Sequence, residues 1–342
     1  MNKYIKKFKT LEQLGDYVLG PDYVTPNLLY VEGLGTVGSK KLNPVTFTIT
    51  NGGECPKGGD LRSQGCGRIQ FVIPPEITSA QLIYVECSVD EGETWVRYTV
   101  PGDTHEQVEF GPTELGQFST VMFRGKGNTL VAPVEEIALI PDNRQIKKSG
   151  TKGAEEDNWT SCYFTFGNVN EAECRGDVMS LLQLPIDVYE QIDNKPTRGV
   201  FDEGQFWYLF ESAPITTMPN LPKKINYEHL GYENYQGMFA NSSVEYIFLP
   251  EKVVPSGCYD YMFQDCRNIR EITILAEEWE DGEIHYNMFE NSNVFNDMIN
   301  LYIPSKMFSW YMEQGVISPY WHVEDYKTGE VLQEGEAPQQ EI

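Results

Sequence analysis

Four stretches between residues 206 and 304 share one frame, and that repeat limits the accessible folds more than any other feature of the chain. They are LFESAPITTMP (209–219), MFANSSVEYIFLP (238–250), MFQDCRNIREITIL (262–275) and MFENSNVFNDMINLYIP (288–304). Each sets Leu or Met before Phe, then a small residue, then a branched apolar residue and a strand-like run that usually closes on Pro. The anchoring phenylalanines Phe210, Phe239, Phe263 and Phe289 lie 29, 24 and 26 residues apart, within the period of leucine-rich solenoids. One coil cannot bury its apolar face alone, so the four rings are expected to stack along a shared core. Ser212, Ser242, Cys266 and Ser292 are expected where each coil turns and space is scarce, as structural positions with no catalytic role.

Upstream the pattern is strand-like. The runs VTFTIT (45–50), RIQFVI (68–73), AQLIYVEC (80–87), TWVRYTV (94–100), QVEF (107–110), STVMFRG (119–125) and IALI (137–140) are separated by Gly, Pro and Asp. That spacing predicts a β-sandwich of immunoglobulin-like type. RQIKKSGTKGAEEDN (144–158) reads as a boundary, SCYFTFGNV (161–169) as a further strand group, and VMSLLQL (178–184) as an apolar segment of either type. SKMFSWYMEQ (305–314) and YWHVEDY (320–326) are expected to close the last coil through Trp310 and Trp321, and the final GEVLQEGEAPQQEI to fray. The expected fold is mainly β: an N-terminal arm (1–40), a β-sandwich (41–143), a connecting β segment (144–205), the repeats (206–304), and a cap with tail (305–342).

The 342 residues carry 51 acidic and 26 basic side chains, a net charge of −25. A field of that sign repels nucleic-acid phosphates and anionic membranes and argues against both partners. The excess is uneven. Five lysines against four acids leave the first 40 residues at +1, so the other 302 hold −26. Within this arm Tyr4, Phe8, Leu11, Leu14 and Val18 recur at the period of a short amphipathic helix, stopped at Gly20-Pro21 and followed by an extended YVTPNLLYVEGLGTVG (23–38). No apolar run follows the basic opening, so no secretory leader is expected, and no run is long enough to span a membrane. Tyr4, Ile5, Phe8, Tyr23, Val24 and Pro26 are the candidate docking contacts, with Lys3, Lys6, Lys7 and Lys9 steering toward an acidic partner.

Chemistry-bearing motifs are few. Seven cysteines at irregular spacings read as reduced thiols, and the four histidines stand in no metal-binding context, so neither metal nor cofactor is expected. GLGTVG (33–38) fits a dinucleotide fingerprint but is followed by Pro44 and β-branched residues where a helix must begin. SVDEGETW (88–95) matches the Asp-box hairpin, with Ser88 and Asp90 bonding the turn, Gly92 supplying positive φ and Trp95 packing beneath, and no arginine cluster is legible near it. The carboxylate pairs Glu135/Glu136, Glu155/Glu156 and Glu277/Glu278 read as solvated faces.

YENYQGMFANSSVEYIFLP, GCYDYMFQDCRNIREITI and IHYNMFENS resemble BspA-type leucine-rich repeats of gut Bacteroidetes and their phages. Cys258, Tyr259, Met262, Phe263 and Cys266 match the frame of that family position by position. VMFRGKGNTL and GDVMSLLQLP resemble segments that accompany such repeats, and YIKKF with DYVTPNLLYVEG resembles the arm of virion proteins from crAss-like phages. The resemblance implies a non-enzymatic virion structural protein, made in the host cytoplasm. It implies a head fibre or capsid decoration, oligomeric as a dimer or trimer, docked on capsid proteins through its arm and facing a host-surface glycan. The alternatives are an exported bacterial adhesin built on the same repeats, and a carbohydrate-active enzyme around the Asp-box.

Overall fold

A computed structural model describes residues 5–8, 28–31, 35–37, 42–53, 67–103, 106–112, 120–127, 129–134, 146–147, 158–182, 206–222, 235–254, 257–279, 286–294 and 297–335. The fold is mainly β, with several sheets and, among the described residues, one short α-helix. Strands β1 (Ile5–Phe8), β2 (Leu28–Val31) and β3 (Gly35–Val37) form a small sheet in which β1 runs parallel to β2, with Ile5 opposite Leu28 and Phe8 opposite Val31. The helical spacing of the arm is therefore overridden at Ile5–Phe8, where pairing with β2 supplies backbone partners that an isolated short helix would have to find within itself. Gly35–Val37 is a strand, where a dinucleotide fingerprint would have its helix begin, so these residues lack the geometry that would hold a pyrophosphate.

Next come β4 (Val45–Gly52), β5 (Arg68–Ile73), β6 (Leu82–Ser88), β7 (Val96–Thr99), β8 (Val108–Phe110), β9 (Thr120–Gly127), β10 (Val131–Val134), β11 (Ile146–Lys147), β12 (Asn158–Ser161), β13 (Tyr163–Gly167) and β14 (Val169–Arg175). They assemble as β13-β5-β8, as β14-β4-β9-β6-β7 and as β10-β12-β11. Alternation sets the faces: Val45, Phe47 and Ile49 of β4 are buried, while Thr46, Thr48 and Thr50 are half-buried on the other side. Rings from the first two sheets meet between them. Phe47 packs 4.9 Å from Phe164, and Phe123 packs 5.1 Å from Phe164 and 6.4 Å from Phe71. Residues 178–182 resolve into a wholly buried 3-10 turn whose Ser180 hydroxyl accepts the Val45 N–H.

The repeats then stack as tiers. Their strands β15 (Tyr246–Leu249), β17 (Glu271–Ile274), β19 (Asn300–Ile303) and β20 (His322–Asp325) form a parallel sheet, closed by the antiparallel β21 (Val331–Gln333). β16 (Val253–Val254) and β18 (Glu278–Trp279) pair as a second short parallel ladder. Tier one has only bridge contacts: Ala172 of β14 pairs with Ile215, and Thr217 pairs with Tyr246. The parallel ladder thus starts on the edge of the five-stranded sheet.

The four expected phenylalanines do stack. Phe210, Phe239, Phe263 and Phe289 are buried with successive centroids 5.3, 5.7 and 5.6 Å apart, and the column continues at one end onto Phe164 of β13 at 5.4 Å. A second column runs Phe206, Tyr235, Tyr259 at 5.9 and 6.0 Å and ends edge-on against Trp279. Between tiers the backbone bonds directly: the N–H groups of Tyr208, Phe210 and Ser212 donate to Gln236, Met238 and Ala240, and those of Gly237, Phe239 and Asn241 to Asp260, Met262 and Gln264. Alternate residues bond three back within their own tier, as Met238 to Tyr235 and Ala240 to Gly237. This winding places left-handed residues two before and two after the first three rings, namely Tyr208 and Ser212, Gly237 and Asn241, Tyr261 and Asp265, and two after the fourth, Asn291. At Gly237 a Cβ would sit 2.3 Å from the Tyr208 ring, so glycine makes room for that ring in a conformation that tyrosine adopts in the neighbouring tiers.

Ser212 is a correction. Ser242, Cys266 and Ser292 are buried three residues after their phenylalanines, but Ser212 comes two after Phe210 and is exposed, because tier one fills the equivalent place with buried Ala213. The C-terminal end differs too. β20 extends the parallel sheet by one strand, and β21 is ordered by pairing with it, Val323 opposite Gln333. Trp310, on α1 (Phe308–Glu313), stacks on Trp279 at 6.2 Å, and buried Trp321 donates its indole N–H to the Val294 carbonyl.

Candidate functional site

Of the expected docking residues, Tyr4, Tyr23, Val24 and Pro26 lie outside the described residues, and Ile5 and Phe8 are placed by backbone pairing in β1. Two surfaces with developed chemistry lie elsewhere.

The first is the hairpin from β6 to β7 and the sheet face beside it. Asp90 Oδ1 accepts the Thr94 N–H at 2.9 Å and the Ser88 hydroxyl at 2.7 Å, and Oδ2 accepts the Thr94 hydroxyl at 2.5 Å. Ser88 Oγ accepts the Gly92 N–H at 2.9 Å, and Trp95 donates its indole N–H to the Gly92 carbonyl at 3.1 Å. Glu91 and Gly92 both take positive φ. Bonds from Thr94 and Ser88 hold the Asp90 carboxyl down at about 2, so it is a fully committed acceptor rather than a proton donor.

Across the strands from this turn, Glu86 of β6 is buried at 6% exposure and meets two arginines. Arg97 of β7 and Arg124 of β9 each approach it at 2.6 Å, one on each carboxylate oxygen. The Arg97 guanidinium lies over Tyr84 and the Arg124 guanidinium over Trp95, each 3.9 Å from the ring centroid. The sequence hid this cluster because 27 residues separate the arginines, and only the strand order β9-β6-β7 sets them on either side of Glu86. A signal did exist: in TWVRYTV and STVMFRG both arginines fall on the half of the alternation that faces solvent.

The second surface is the outer face of the parallel sheet. Register aligns Tyr246, Glu271, Asn300 and His322 in one column and Phe248, Thr273, Tyr302 and Glu324 in the next. Tyr246 and Phe248, on the edge strand β15, are 45% and 46% exposed, high for large side chains of this kind. His322 Nε2 meets Glu324 at 2.8 Å and Nδ1 meets Glu334 at 3.4 Å, a pairing that raises its pKa.

The thiols are built into cores. Cys87, Cys162, Cys174, Cys258 and Cys266 are free and buried, and burial pushes Cys87 up to about 12 and Cys266 up to about 11. Cys266 spends its S–H on the Phe239 carbonyl at 3.1 Å, which suits a space-filling role between tiers. Tyr259 donates its hydroxyl to the fully buried Glu251. Of the carboxylate pairs, Glu277 binds Lys306 at 2.5 Å, while Glu135/Glu136 and Glu155/Glu156 lie outside the described residues. Among the described residues no group of three or more His, Cys, Asp or Glu is arranged to hold a metal ion, and no helix is long and apolar enough to cross a membrane. No protein-family model, no curated protein and no solved structure matches the chain.

Proposed function

We propose that the chain is a non-enzymatic structural protein of a virion, a head fibre or capsid decoration whose residues 1–40 dock on capsid proteins. Residues 41–143 with the strands that follow form a β-sandwich, and residues 206–304 form a short leucine-rich-repeat solenoid displayed outward for adhesion. The observation that carries this reading is the unbroken aromatic column from Phe164 to Phe289, which mounts the tiers on the facing sheets as one packed body. A displayed element needs that stiffness, and stacking each tier on its neighbour supplies it without a large globular core. The separate +1 balance of the first 40 residues supports an attachment segment distinct from the acidic body. The exported-adhesin reading uses the same repeats and differs in requiring secretion.

Particles produced with and without this gene, compared by negative-stain electron microscopy, test the reading. Loss of projections from the capsid surface is expected, and an unchanged surface would sink it. A variant lacking residues 2–30 is expected to fold and oligomerise yet fail to bind particles. Insolubility of that variant would instead make the arm a core element.

A further inference from the structure

Arginine on a protein surface normally gives little as an ion pair, because its long side chain must be immobilised for a screened contact. Arg97 and Arg124 are already immobilised. Each is held by a bond to buried Glu86 and by an aromatic ring, Tyr84 or Trp95, under its guanidinium plane. Arg97 gives Nε and Nη2 to Glu86 Oε1 at 2.8 and 2.6 Å, and Arg124 gives Nε to Oε2 at 2.6 Å. A guanidinium has five N–H donors, and the rest of these have no acceptor among the described residues, while the side chains stay 52% and 32% exposed. Two cations on one carboxylate leave a surplus of one positive charge, in a chain with about twice as many acids as bases.

The adjoining positions of the same face extend the chemistry. Register places Thr46 beside Met122 and Thr48 beside Thr120, so hydroxyl-bearing side chains continue across β9 and β4, with Arg175 opposite Thr46 on β14 and Glu171 accepting the Thr50 hydroxyl. Glu173, on the same edge strand, is taken by Arg175. This is open strand surface, where a lone small anion competes poorly with water. A ligand held here must present its negative group on an extended hydroxylated body that lies along the threonines and against the edges of Tyr84 and Trp95.

We propose that Arg97 and Arg124 form an oxyanion subsite for a carboxylated or sulfated saccharide, with Glu86 as the positioning residue that fixes both guanidinium planes. The proposal deepens the adhesion reading by naming a ligand class, and it depends on that reading only for where such a saccharide is met.

Binding of the purified full-length chain to immobilised dextran sulfate, polygalacturonate, unmodified dextran and poly-glutamate tests it. Retention on dextran sulfate or polygalacturonate is expected, with the better of the two identifying the oxyanion, and with weak response to dextran and poly-glutamate. Arg97→Gln and Arg124→Gln should each weaken binding roughly tenfold, the loss of a charge-assisted pair. Glu86→Gln separates geometry from charge. It makes the protein one unit more positive, yet it should weaken binding roughly fivefold because the arginines lose their anchor. Arg97→Lys keeps the charge on Glu86 and removes the fork, and should also bind less well if the Gln variants misfold. Tighter binding by Glu86→Gln, unchanged binding by folded Arg124→Gln or Arg97→Lys, equal retention on dextran, or poly-glutamate binding as strong as the saccharides would each overturn the proposal. Particle imaging is independent of all these outcomes, so failure here leaves the virion reading standing.

Discussion

Phe239 is sandwiched between two near-parallel rings, with Phe210 tilted 12° from it and Phe263 tilted 6°. Truncation to Ala leaves a cavity that neither neighbour can fill without breaking its own stack, so Phe239→Ala should cost about 3–5 kcal/mol in denaturant unfolding. Asp90 gives a different signature. Its carboxyl is held below an ordinary 3.8 at about 2, so the hairpin's contribution is fully present above the unfolded value and is lost as pH falls through the folded one. Wild-type stability should therefore decline between about pH 4 and about pH 2, and Asp90→Ala should lower the melting temperature at pH 7 while flattening that acid limb. His322 runs the other way. Glu324 and Glu334 raise its pKa, so its contribution is present below the unfolded value, near 6.5, and disappears as pH rises through the higher folded one. His322→Gln should abolish that alkaline loss in thermal melts followed from pH 6 upward. The buried thiols should resist a thiol reagent at about pH 8: peptide mapping should find Cys87, Cys162, Cys174, Cys258 and Cys266 labelled only after unfolding.

An element-scale change tests the tier as the unit of construction. Phe239 and Phe263 hold equivalent places, so excising residues 240–263 joins Met-Phe to Gln264 in frame and brings the Phe210 tier against the Phe289 tier through one shared ring. A shorter protein with an unchanged circular-dichroism shape and a lower unfolding midpoint is expected, whereas removing half as many residues should leave no cooperative transition. The Phe spacing made this unit legible, because stacking demands the same residue at the same place in every tier. Alternation likewise marked β4 to within two residues, since the period of the pleat is the period of burial, whereas β5, buried on both faces, was marked by its continuous apolar run. Other features lay beyond local pattern. Ile5–Phe8 extends because β2 lies beside it, β21 is ordered by β20, and the Glu86 cluster depends on a strand order that no neighbouring residues encode. Ser212 misled because its tier has Ala where the others carry Ser or Cys one place later.

At the scale of the whole molecule, a charge of −25 sets the body against itself. Raising sodium chloride from about 0.1 M to about 1 M shortens the screening length from about 10 Å to about 3 Å, so the melting temperature should rise across that range. Copies crowded on one surface would repel one another by the same field. The tiers carry a further property. Among the described residues the bonds between their turn segments, and from β13 to the first of them, run in one sense: Phe164 donates to Leu209, Phe210 to Met238, Phe239 to Met262 and Phe263 to Met288. Each peptide has a dipole of about 3.5 D, and where neighbouring strands of a sheet largely cancel, dipoles pointing the same way add. The column of turn segments therefore has an electrical axis, with its carbonyl pole towards β13 and its amide pole at the far tier, while on the strand side bonds such as Ser243 to Ala213 and Asn293 to Cys266 run the other way. A unit inserted upside down would face carbonyl with carbonyl, so the chain can lengthen only by repeats of one polarity.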